Sequence, residues 1–400
     1  MNENMESVLT NDSIKVSGEH VKCPSCAAEM VYSPEENMLV CPYCGSHQEI
    51  AASNSPIEEH IFEFSQSRPE EWGLSTKVIH CSNCGADMVT DANVTARVCA
   101  YCGSPMITQA ENSNCIAPEA ILPFKISSDT AKLYFRNWVK SRFFAPRALR
   151  EKNTLQRLSG VYVPHFTYDC NTESDYSAQA GTHYYETEMV TVQRDGKTVT
   201  EERQIMKTRW NPVSGHFASD FDDVLILASK NIDNKLIKLN YRLDELVPYQ
   251  KEFIYSFLAE NNSISKEDCW TSAQSVIKIK LEKEITKVID ADEVRGLTVS
   301  TVYSNVTFKS VLLPVWISSY LFKGKTYQFM INGQSGEVKG QSPVSALRIF
   351  VSILVSMGIT GLCFVLNPLL GAIALIASVI TFIHLATKKP KDITKTPNAG

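Results

Sequence analysis

The sequence predicts a multidomain chain with two small β modules, a central α+β domain with an antiparallel sheet, and a C-terminal helical hairpin. Three observations support this prediction. A cysteine pattern is written twice between Cys23 and Cys102. Helical and strand-like hydrophobic periods alternate over residues 116–340, and two long uncharged apolar runs follow residue 348. A chain of 400 residues with 44% hydrophobic content is long enough for two or three domains.

The cysteine pattern is an internal duplication. The first copy reads Cys23-Pro-Ser-Cys26, 14 residues, then Cys41-Pro-Tyr-Cys44. The second copy reads Cys81-Ser-Asn-Cys84, again 14 residues, then Cys99-Ala-Tyr-Cys102. Each cysteine lies 58 positions from its counterpart, so chance spacing does not explain the match.

The spacing of the cysteines suits tetrahedral metal binding. A Cys-x-x-Cys turn points two thiolates at one centre, and two such turns complete a closed zinc site with Zn–S distances of about 2.3 Å. Gly45 and Gly103, directly after the second turn of each copy, permit a sharp backbone turn. Four cysteines leave no open position for water, so we expect two structural zinc ions. The alternative is disulfides or reduced structural thiols.

We therefore predict zinc ribbons at residues 21–48 and 77–108, separated by an acidic linker at 49–76. Modules this small bury little apolar surface, so metal binding would supply most of their folding free energy. Three histidines lie beside the cysteines, but each site already has four ligands, and we expect the histidines to stay outside the metal sites. These histidines are His20, His47 and His80.

The acidic linker contains an alternating segment, His60-Ile61-Phe62-Glu63-Phe64, followed by Trp72. Two interpretations are open. The segment is either a strand that packs one ribbon on the other or a docking segment for a partner protein.

Cysteine usage indicates a reducing compartment. Eight of the 12 cysteines lie in the duplicated motif, and the other four are scattered, unlike those of a disulfide scaffold. The scattered cysteines are Cys115, Cys170, Cys269 and Cys363. Residues 1–20 are predicted to form a flexible leader, and they lack the apolar segment of a secretory signal, so export is not expected.

The net charge of −5 is distributed unevenly. Residues 1–115 carry a net charge of −11, residues 116–340 carry +2, and residues 341–400 carry +4. Proteins bind nucleic acids without sequence preference mainly through Lys and Arg that neutralise phosphates. The acidic ribbon region therefore argues against nucleic acid as a partner, although zinc ribbons commonly serve replication and transcription.

The central α+β domain, residues 116–340, is predicted to begin with a helix of about 14 residues. Ser128 or Asp129 is placed to cap this helix, and Pro146 lies beyond its end. Its apolar side chains fall at helical spacing and predict a buried aromatic face. These side chains are Ala131, Tyr134, Phe135, Trp138 and Val139.

A second helix is predicted over Lys266–Ile289, with Ser265 and Asp268 forming a capping box. Val161–Tyr168 is predicted to be an edge strand because Pro164 lacks a backbone donor. Further strands are predicted at Glu186–Gln193, Thr198–Met206, Leu297–Phe308, Val311–Phe322 and Thr326–Ile331, with turns at Asp195-Gly196, Lys323-Gly324 and Asn332-Gly333.

Two apolar runs predict a transmembrane helical hairpin at residues 349–385. Ile349–Leu366 contains 18 residues without a charge, and Leu369–Leu385 adds 17 more, in which His384 is the one ionisable side chain. At 1.5 Å per residue each helix would be about 26 Å long, close to the thickness of the hydrocarbon core. Asn367-Pro368 would form the turn. The small residues that would let the helices approach are Gly358, Gly361 and Gly371.

Basic residues flank both ends of this hairpin. Lys339 and Arg348 precede it, and four lysines follow it within a predicted basic cytoplasmic tail at residues 386–400. The positive-inside rule then places both termini in the cytoplasm. The sequence therefore predicts a multi-pass protein of the cell membrane with two helices and cytoplasmic ribbons, in agreement with reduced cysteines.

No catalytic residue can be named from the sequence. Gly324-Lys325-Thr326 resembles the end of a phosphate-binding loop, but Ser319 stands where the first glycine is needed. One acidic cluster with a nearby histidine is a weak candidate for a metal or acid–base site, and a weaker one pairs His165 with Asp169. The residues of the cluster are Asp220, Asp222, Asp223 and His216.

The chain resembles bacterial membrane proteins with tandem transcription-factor-IIB-type zinc ribbons. The resemblance extends from the ribbons to the terminal apolar segments. It is carried by Cys41-Pro-Tyr-Cys-Gly-Ser46, Cys99-Ala-Tyr-Cys-Gly-Ser104, Val311-Leu-Leu-Pro-Val-Trp-Ile-Ser-Ser-Tyr320 and Tyr327-Gln-Phe-Met-Ile-Asn-Gly-Gln-Ser-Gly336, followed by Gly340.

This resemblance implies zinc at the eight motif cysteines and supplies no catalytic residues. Some members of the group are similar to partners of flotillin-like (SPFH) and phage-shock membrane-stress proteins. Others carry helicase-like labels, but this sequence has no helicase motor motif.

The function that we expect is a non-enzymatic integral-membrane adaptor or scaffold whose cytoplasmic zinc ribbons dock protein partners, flotillin-like or phage-shock proteins among them. One alternative is a zinc-ribbon protein that binds nucleic acid in replication or transcription. A second alternative is an enzyme in the central domain. The sequence does not define an oligomeric state.

Overall fold

The computed structural model describes residues 21–62 except 52 and 54, 76–91, 96–107 except 103, 118–146, 158–232 except 195–196, and 239–387 except 323–324. The predicted leader, Glu63-Phe64, Trp72, Cys115 and most of the basic tail lie outside these residues. The strands are β1 (Val31–Ser33), β2 (Met38–Val40), β3 (His47–Gln48), β4 (His60–Ile61), β5 (Thr76–His80), β6 (Asp87–Asp91), β7 (Ala96–Val98), β8 (Pro105–Ile107), β9 (Ala120–Ile121), β10 (Ser159–Arg194), β11 (Lys197–Leu227), β12 (Val247–Pro248), β13 (Leu258–Glu260), β14 (Glu293–Phe322), β15 (Lys325–Asn332) and β16 (Val338–Gly340). The helices are α1 (Ser128–Ser141), α2 (Lys266–Ile289), α3 (Ala346–Leu366) and α4 (Pro368–Thr387).

Three long strands form the centre of the fold. β10 pairs antiparallel with β11 on one side and with β14 on the other. The β-hairpin predicted at Asp195-Gly196 is confirmed, because Arg194 pairs with Lys197 and leaves a two-residue connection. The two strands predicted between Leu297 and Phe322 are one continuous strand, β14. Lys309 and Ser310, where the predicted break falls, pair with Thr167 and Phe166 of β10, so the pairing with β10 continues through the break.

The edge-strand prediction for Val161–Tyr168 is wrong. Pro164 lies within β10, between β14 and a neighbour that changes from β13 to β11. The Pro164 carbonyl accepts a hydrogen bond from the Ala228 N–H, 3.0 Å away, on the side of that change. The missing proline donor therefore faces the gap between β13 and β11, where no ladder bond is lost.

The central sheet is mixed, which corrects the predicted antiparallel sheet. β13 pairs parallel with β10, and β9 pairs parallel with β14. Both added strands have only two or three residues, too few to produce an alternating sequence pattern. Parallel neighbours also need a long crossover, so distant segments of the chain complete this sheet.

Both central helices are confirmed. α1 buries its predicted aromatic face, and its cap is Ser127, one residue before the predicted positions, whose hydroxyl accepts from the Thr130 N–H. α2 has the predicted bounds, and Ser265 caps it by accepting from the Asp268 N–H at 3.1 Å. The buried side of α2 packs on one face of the long strands through Trp270, Ile277 and Leu281, among others.

In their described residues, neither of the two segments predicted to be zinc ribbons folds apart from the central domain, and we call these segments the first and the second ribbon. In the first, β1, β2 and β3 form a small sheet of their own, which packs by side chains on the central core. In the second, β6 pairs with β13 and thereby extends the large sheet. The second ribbon is therefore joined to the central sheet by backbone hydrogen bonds, and the first by side chains.

The alternating segment of the linker does not pack one ribbon on the other. His60 and Ile61 form β4, which pairs with Phe308 and Thr307 of β14. The ring of Phe62 then contacts Tyr168 and Phe308 in the α2 core. An alternating pattern predicts a strand but does not specify which strand it pairs with. Here the partner is β14 of the central domain.

The C-terminal segment forms two apolar helices that meet at Asn367. Among the described residues, one helix is long and apolar enough to cross a membrane, at Leu347–Leu366, while Pro368–Ile380 is shorter. Only 6% of the longer segment is buried. Of the three predicted contact glycines, Gly371 lies against the ring of Phe364, whereas a Cβ added at Gly358 or Gly361 would meet no atom of the described residues within 4 Å.

Candidate metal centres

The first cysteine motif brings its four sulfur atoms together. The Sγ atoms of Cys23, Cys26, Cys41 and Cys44 all lie within 4.8 Å of one another. Cys23 and Cys44 are 3.4 Å apart, and Cys26 and Cys41 are 3.5 Å apart. These separations exceed a disulfide bond of about 2.05 Å and approach the roughly 3.8 Å expected between ligands of one tetrahedral zinc.

The second motif repeats this arrangement. The Sγ atoms of Cys81, Cys84, Cys99 and Cys102 also lie within 4.8 Å of one another. Cys81 and Cys102 are 3.6 Å apart, and Cys84 and Cys99 are 3.5 Å apart. All described cysteines are free thiols, so the disulfide alternative is not supported.

The backbone of each cysteine turn explains this convergence. The Gly45 N–H donates to the Cys41 carbonyl at 3.0 Å, and the Gly85 N–H donates to the Cys81 carbonyl at 2.7 Å. Both glycines have left-handed backbones, with φ of +73° and +77°. In the first turn the equivalent residue is Ala27, which adopts φ of 59° despite its Cβ. Gly103 lies outside the described residues.

The donor set fits a structural metal. Each group offers four thiolates, which are soft ligands that select zinc or iron–sulfur chemistry and leave no open coordination position. One buried and one more exposed cysteine come from each turn of the first site, Cys23 and Cys41 being buried. The Ser46 hydroxyl lies 3.1 Å from the Cys44 sulfur and lowers the pKa of that thiol.

The first site is attached to the central core through Tyr32. The Tyr32 hydroxyl donates to the Phe124 carbonyl at 3.0 Å, and its ring packs edge-on against Phe253 and Phe257. Burial raises the pKa of Tyr32 far above its usual value, so this hydroxyl remains a donor at physiological pH.

The second site is attached through Tyr101, which lies between two of its cysteines. Its hydroxyl donates to Glu260 Oε2, while Ser229 and Asn231 donate to Oε1 at 2.5 and 2.7 Å. Glu260 is fully buried, and burial raises its pKa to about 7. Tyr43 is the counterpart of Tyr101 in the first motif, yet it is 77% exposed. The two copies thus present different faces to the central domain.

Sequence reasoning missed this carboxylate network. Glu260 belongs to a three-residue strand with no motif around it, so no local signal marks it. The one signal in the sequence was Tyr101 itself, because a tyrosine that is buried needs a polar partner for its hydroxyl.

The predicted histidines stay outside the described metal groups. His47 pairs with Glu36 at 2.8 Å, and His80 pairs with Asp87 at 2.7 Å. His20 lies outside the described residues. His165 is buried and contacts the Val163 carbonyl, and burial lowers the pKa of His165 to about 4. The predicted pair of His165 and Asp169 does not form, because Asp169 lies with Asp222 and Asp223 instead.

The predicted acidic cluster is rearranged by a β-bulge. Asp222 and Asp223 of β11 both lie opposite Asp169 of β10, where the register shifts. These three carboxylates come within 4.8 Å of one another, whereas Asp220 accepts from Asn171 and His216 contacts Asp175.

Lys309 supplies a positive charge beside the carboxylates at this bulge. Lys309 is 92% buried, and its Nζ lies 2.9 Å from Asp223 and 3.0 Å from Glu59. Burial alone would lower the pKa of Lys309, but the two carboxylates raise it. The cluster is therefore a partly exposed ion-pair network around the buried Lys309, and His216 lies outside it, beside Asp175.

Together these features define a class: a protein with two four-cysteine groups built onto a large mixed sheet, followed by an exposed apolar helix long enough to span a membrane. The chain is similar to a Bacillus subtilis (strain 168) protein described as "Uncharacterized protein YdjG". The two are 28% identical over 340 residues, which cover 82% of this chain and 91% of the relative. No protein-family model matches the chain, and no solved structure matches it.

Proposed function

We propose that this protein is a non-enzymatic membrane adaptor in which two structural zinc ions hold the ribbons on the central domain. The observation that carries the proposal is the pair of closed four-thiolate groups, each fixed to the central core, in a chain that also has a helix with an exposed apolar surface. Such groups stabilise structure and offer no position for a substrate.

Zinc is the metal that best suits these groups. Tetrahedral thiolate sites built from two Cys-x-x-Cys turns are characteristic of zinc ribbons. The expected stoichiometry is two zinc ions per chain by elemental mass spectrometry. Cys26→Ser with Cys44→Ser should remove one ion, and so should Cys84→Ser with Cys102→Ser. Cys269→Ala, at a buried cysteine outside both groups, is the matched control and should retain both ions.

The membrane assignment has its support in α3. Apolar side chains such as Leu347, Val355 and Val365 are exposed, and such a surface is unfavourable in water. We propose that α3 crosses the bilayer and that α4 returns, with both termini in the cytoplasm. Alkaline carbonate should leave the protein in the membrane fraction. Release into the supernatant would contradict insertion, and protease protection of one terminus would contradict the two-helix topology.

The protein partners have a candidate docking element in the long hairpin. Gly181 pairs with Glu293, the first residue of β14, and beyond this pair Thr182–Arg194 pairs with Lys197–Arg209 as a two-stranded arm of about 40 Å. Tyr185 and Met189 are exposed on this arm. Flotillin-like and phage-shock proteins are the partners to test first, following the family resemblance.

The register of the arm permits a clean test. Deleting residues 184–194 and 197–207 leaves Asp195-Gly196 to connect His183 with Thr208, which are paired in the native register. We expect the shortened protein to keep two zinc ions and membrane attachment but to lose a purified flotillin-like or phage-shock partner that binds the full-length protein. If neither candidate binds the full-length protein, the adaptor proposal fails for these partners.

A further inference from the structure

The start of the apolar helix is hydrogen-bonded to the short segment that directly follows α1. The Ser345 N–H donates to the Phe144 carbonyl at 2.8 Å, and Arg348 Nη1 donates to the Phe143 carbonyl at 2.9 Å. If α3 crosses the membrane, as proposed above, its first turn lies at the lipid–water boundary. These hydrogen bonds then place Phe143 at that same depth.

The helix that directly precedes Phe143, α1, has a basic exposed face. Leu133, Arg136 and Lys140 lie on one side of α1, opposite the buried Phe135 and Trp138, because residues three, four and seven apart share a helix face. Phe143 is 42% exposed and Leu133 is 50% exposed. We call Leu133, Arg136, Lys140 and Phe143 the α1 collar.

The charge of the collar matches anionic lipid. The one acidic residue of α1 is Asp129, which lies in its first turn and pairs with Lys132. α1 ends at Ser141, two residues before Phe143, and at 1.5 Å per residue Lys140 and Arg136 lie about 1.5 and about 8 Å from that end along the helix axis. Both charges therefore lie within about one Debye length of the helix end that leads to Phe143.

We propose that the α1 collar rests on the cytoplasmic leaflet, with Phe143 inserted at the interface and with Arg136 and Lys140 bound to anionic phospholipid headgroups. The chemistry is that of other interfacial helices, in which an apolar side chain enters the lipid while basic side chains stay at the headgroups. The collar would fix the orientation of the central sheet relative to the membrane. It rests on the proposed insertion of α3.

The test uses the full-length protein in nanodiscs that contain phosphatidylcholine and phosphatidylglycerol. A photo-crosslinking phenylalanine analogue replaces Phe143, and lipid adducts are identified by mass spectrometry. We expect adducts at position 143 with phosphatidylglycerol enriched over its share of the disc. The same analogue at Tyr185, an exposed aromatic residue on the arm, should give none.

Charge variants test the headgroup contact. Arg136→Gln with Lys140→Gln should reduce the ratio of phosphatidylglycerol to phosphatidylcholine adducts about fivefold for each charge removed, since a basic residue near a membrane contributes about 1 kcal/mol. Lys278→Gln with Lys283→Gln removes the same charge from exposed positions on α2 and should leave the ratio unchanged. An unchanged ratio in the Arg136 and Lys140 variant would overturn the binding of anionic lipid.

A second crosslinking position separates this inference from the proposal beneath it. Val351 lies on α3 and is exposed. Adducts at Val351 without adducts at Phe143 would overturn the α1 collar while leaving insertion intact. Adducts at neither position would overturn insertion itself.

Discussion

The hydroxyl of Tyr101, within the second cysteine motif, donates a hydrogen bond to the carboxylate of Glu260 on a strand of the central sheet. Both side chains are buried, and the strand of Glu260 pairs with β6 of the same ribbon. A metal motif is thereby joined to the central domain both by a sheet ladder and by a buried carboxylate. The two attachments form one structural unit.

Glu260 should make stability depend on pH. Burial raises its pKa to about 7, with further contributions from its neighbour Asp87, whereas its hydrogen bonds lower it. The folded state then holds a proton that the unfolded state releases above pH 4.5. The contribution to the free energy of unfolding is therefore complete below pH 4.5, and it is lost as the pH rises to 7. The change is on the order of 3 kcal/mol.

Glu260→Gln is the matched variant for this prediction, because it keeps the shape and cannot titrate. Unfolding of the zinc-loaded protein in detergent, followed by near-ultraviolet circular dichroism between pH 5 and 8, should show a smaller pH slope in the variant. Identical slopes would show that Glu260 does not titrate in this range. The zinc ligands are the same in both proteins, so their protonation cancels in the comparison.

Ala27→Gly should stabilise the first metal site. Ala27 adopts φ of 59°, a left-handed conformation that costs a residue with a Cβ roughly 1–2 kcal/mol. Part of that gain is lost to the greater freedom of glycine in the unfolded chain, so we expect about 0.5–1 kcal/mol. The measurement is the zinc concentration at half-saturation, or the midpoint of thermal unfolding.

Gly45→Ala and Gly85→Ala should have the opposite effect. A Cβ at either glycine would meet no atom within 4 Å, so backbone strain is the one direct cost. We expect a loss of about 1–2 kcal/mol at each site. Equal stability of Ala27→Gly and the native protein, together with tolerance of both alanines, would contradict the left-handed geometry of these turns.

The parts of the fold that were predictable carry their own local signals. Ser265 and Asp268 fix the start of α2, and the spacing of apolar side chains fixes its length. Pro164 is tolerated inside the sheet because the neighbouring strand changes from β13 to β11 beside it. The sequence around Pro164 does not show where those distant strands end. The bulge that gathers Asp169 with Asp222 and Asp223 likewise arises from pairing between distant strands.

The sites divide in the same way. The cysteine groups were predictable because the spacing of the ligands is itself the chemistry. The duplication did not reveal that Tyr101 is buried while Tyr43 is exposed, because equivalent residues packed against different surfaces. Burial against a distant element is the property that one sequence motif does not encode.

The two metal sites should differ in what their loss does to the central sheet. β13 is bonded to β6 of the second ribbon, whereas the first ribbon contacts the core through side chains such as Tyr32. Cys84→Ser with Cys102→Ser should therefore accelerate amide hydrogen exchange at Leu258–Glu260. Cys26→Ser with Cys44→Ser is the matched control and should leave that strand protected. Equal exchange in both variants would contradict the structural distinction between the ribbons.

Lys309 should be essential to the charge balance at the β-bulge. Lys309→Met leaves the carboxylates of Asp169, Asp222 and Asp223 close together without their buried cation. Removing one partner of a buried ion pair costs about 3–5 kcal/mol, and 30% exposure of the Asp223 side chain reduces our expectation to about 2–3 kcal/mol. Thermal or denaturant unfolding at pH 7 measures this loss.

A second substitution tests whether charge, not packing, causes the loss at Lys309. Asp223→Asn in the Lys309→Met background removes one repelling carboxylate, so we expect recovery of at least about 1 kcal/mol relative to Lys309→Met alone. Lowering the pH from 7 to 5 should also stabilise Lys309→Met relative to the native protein, because burial already raises the pKa of Asp169 and loss of the lysine raises it further. If the double variant is no more stable than Lys309→Met, lost packing explains the effect and the ion-pair network contributes little.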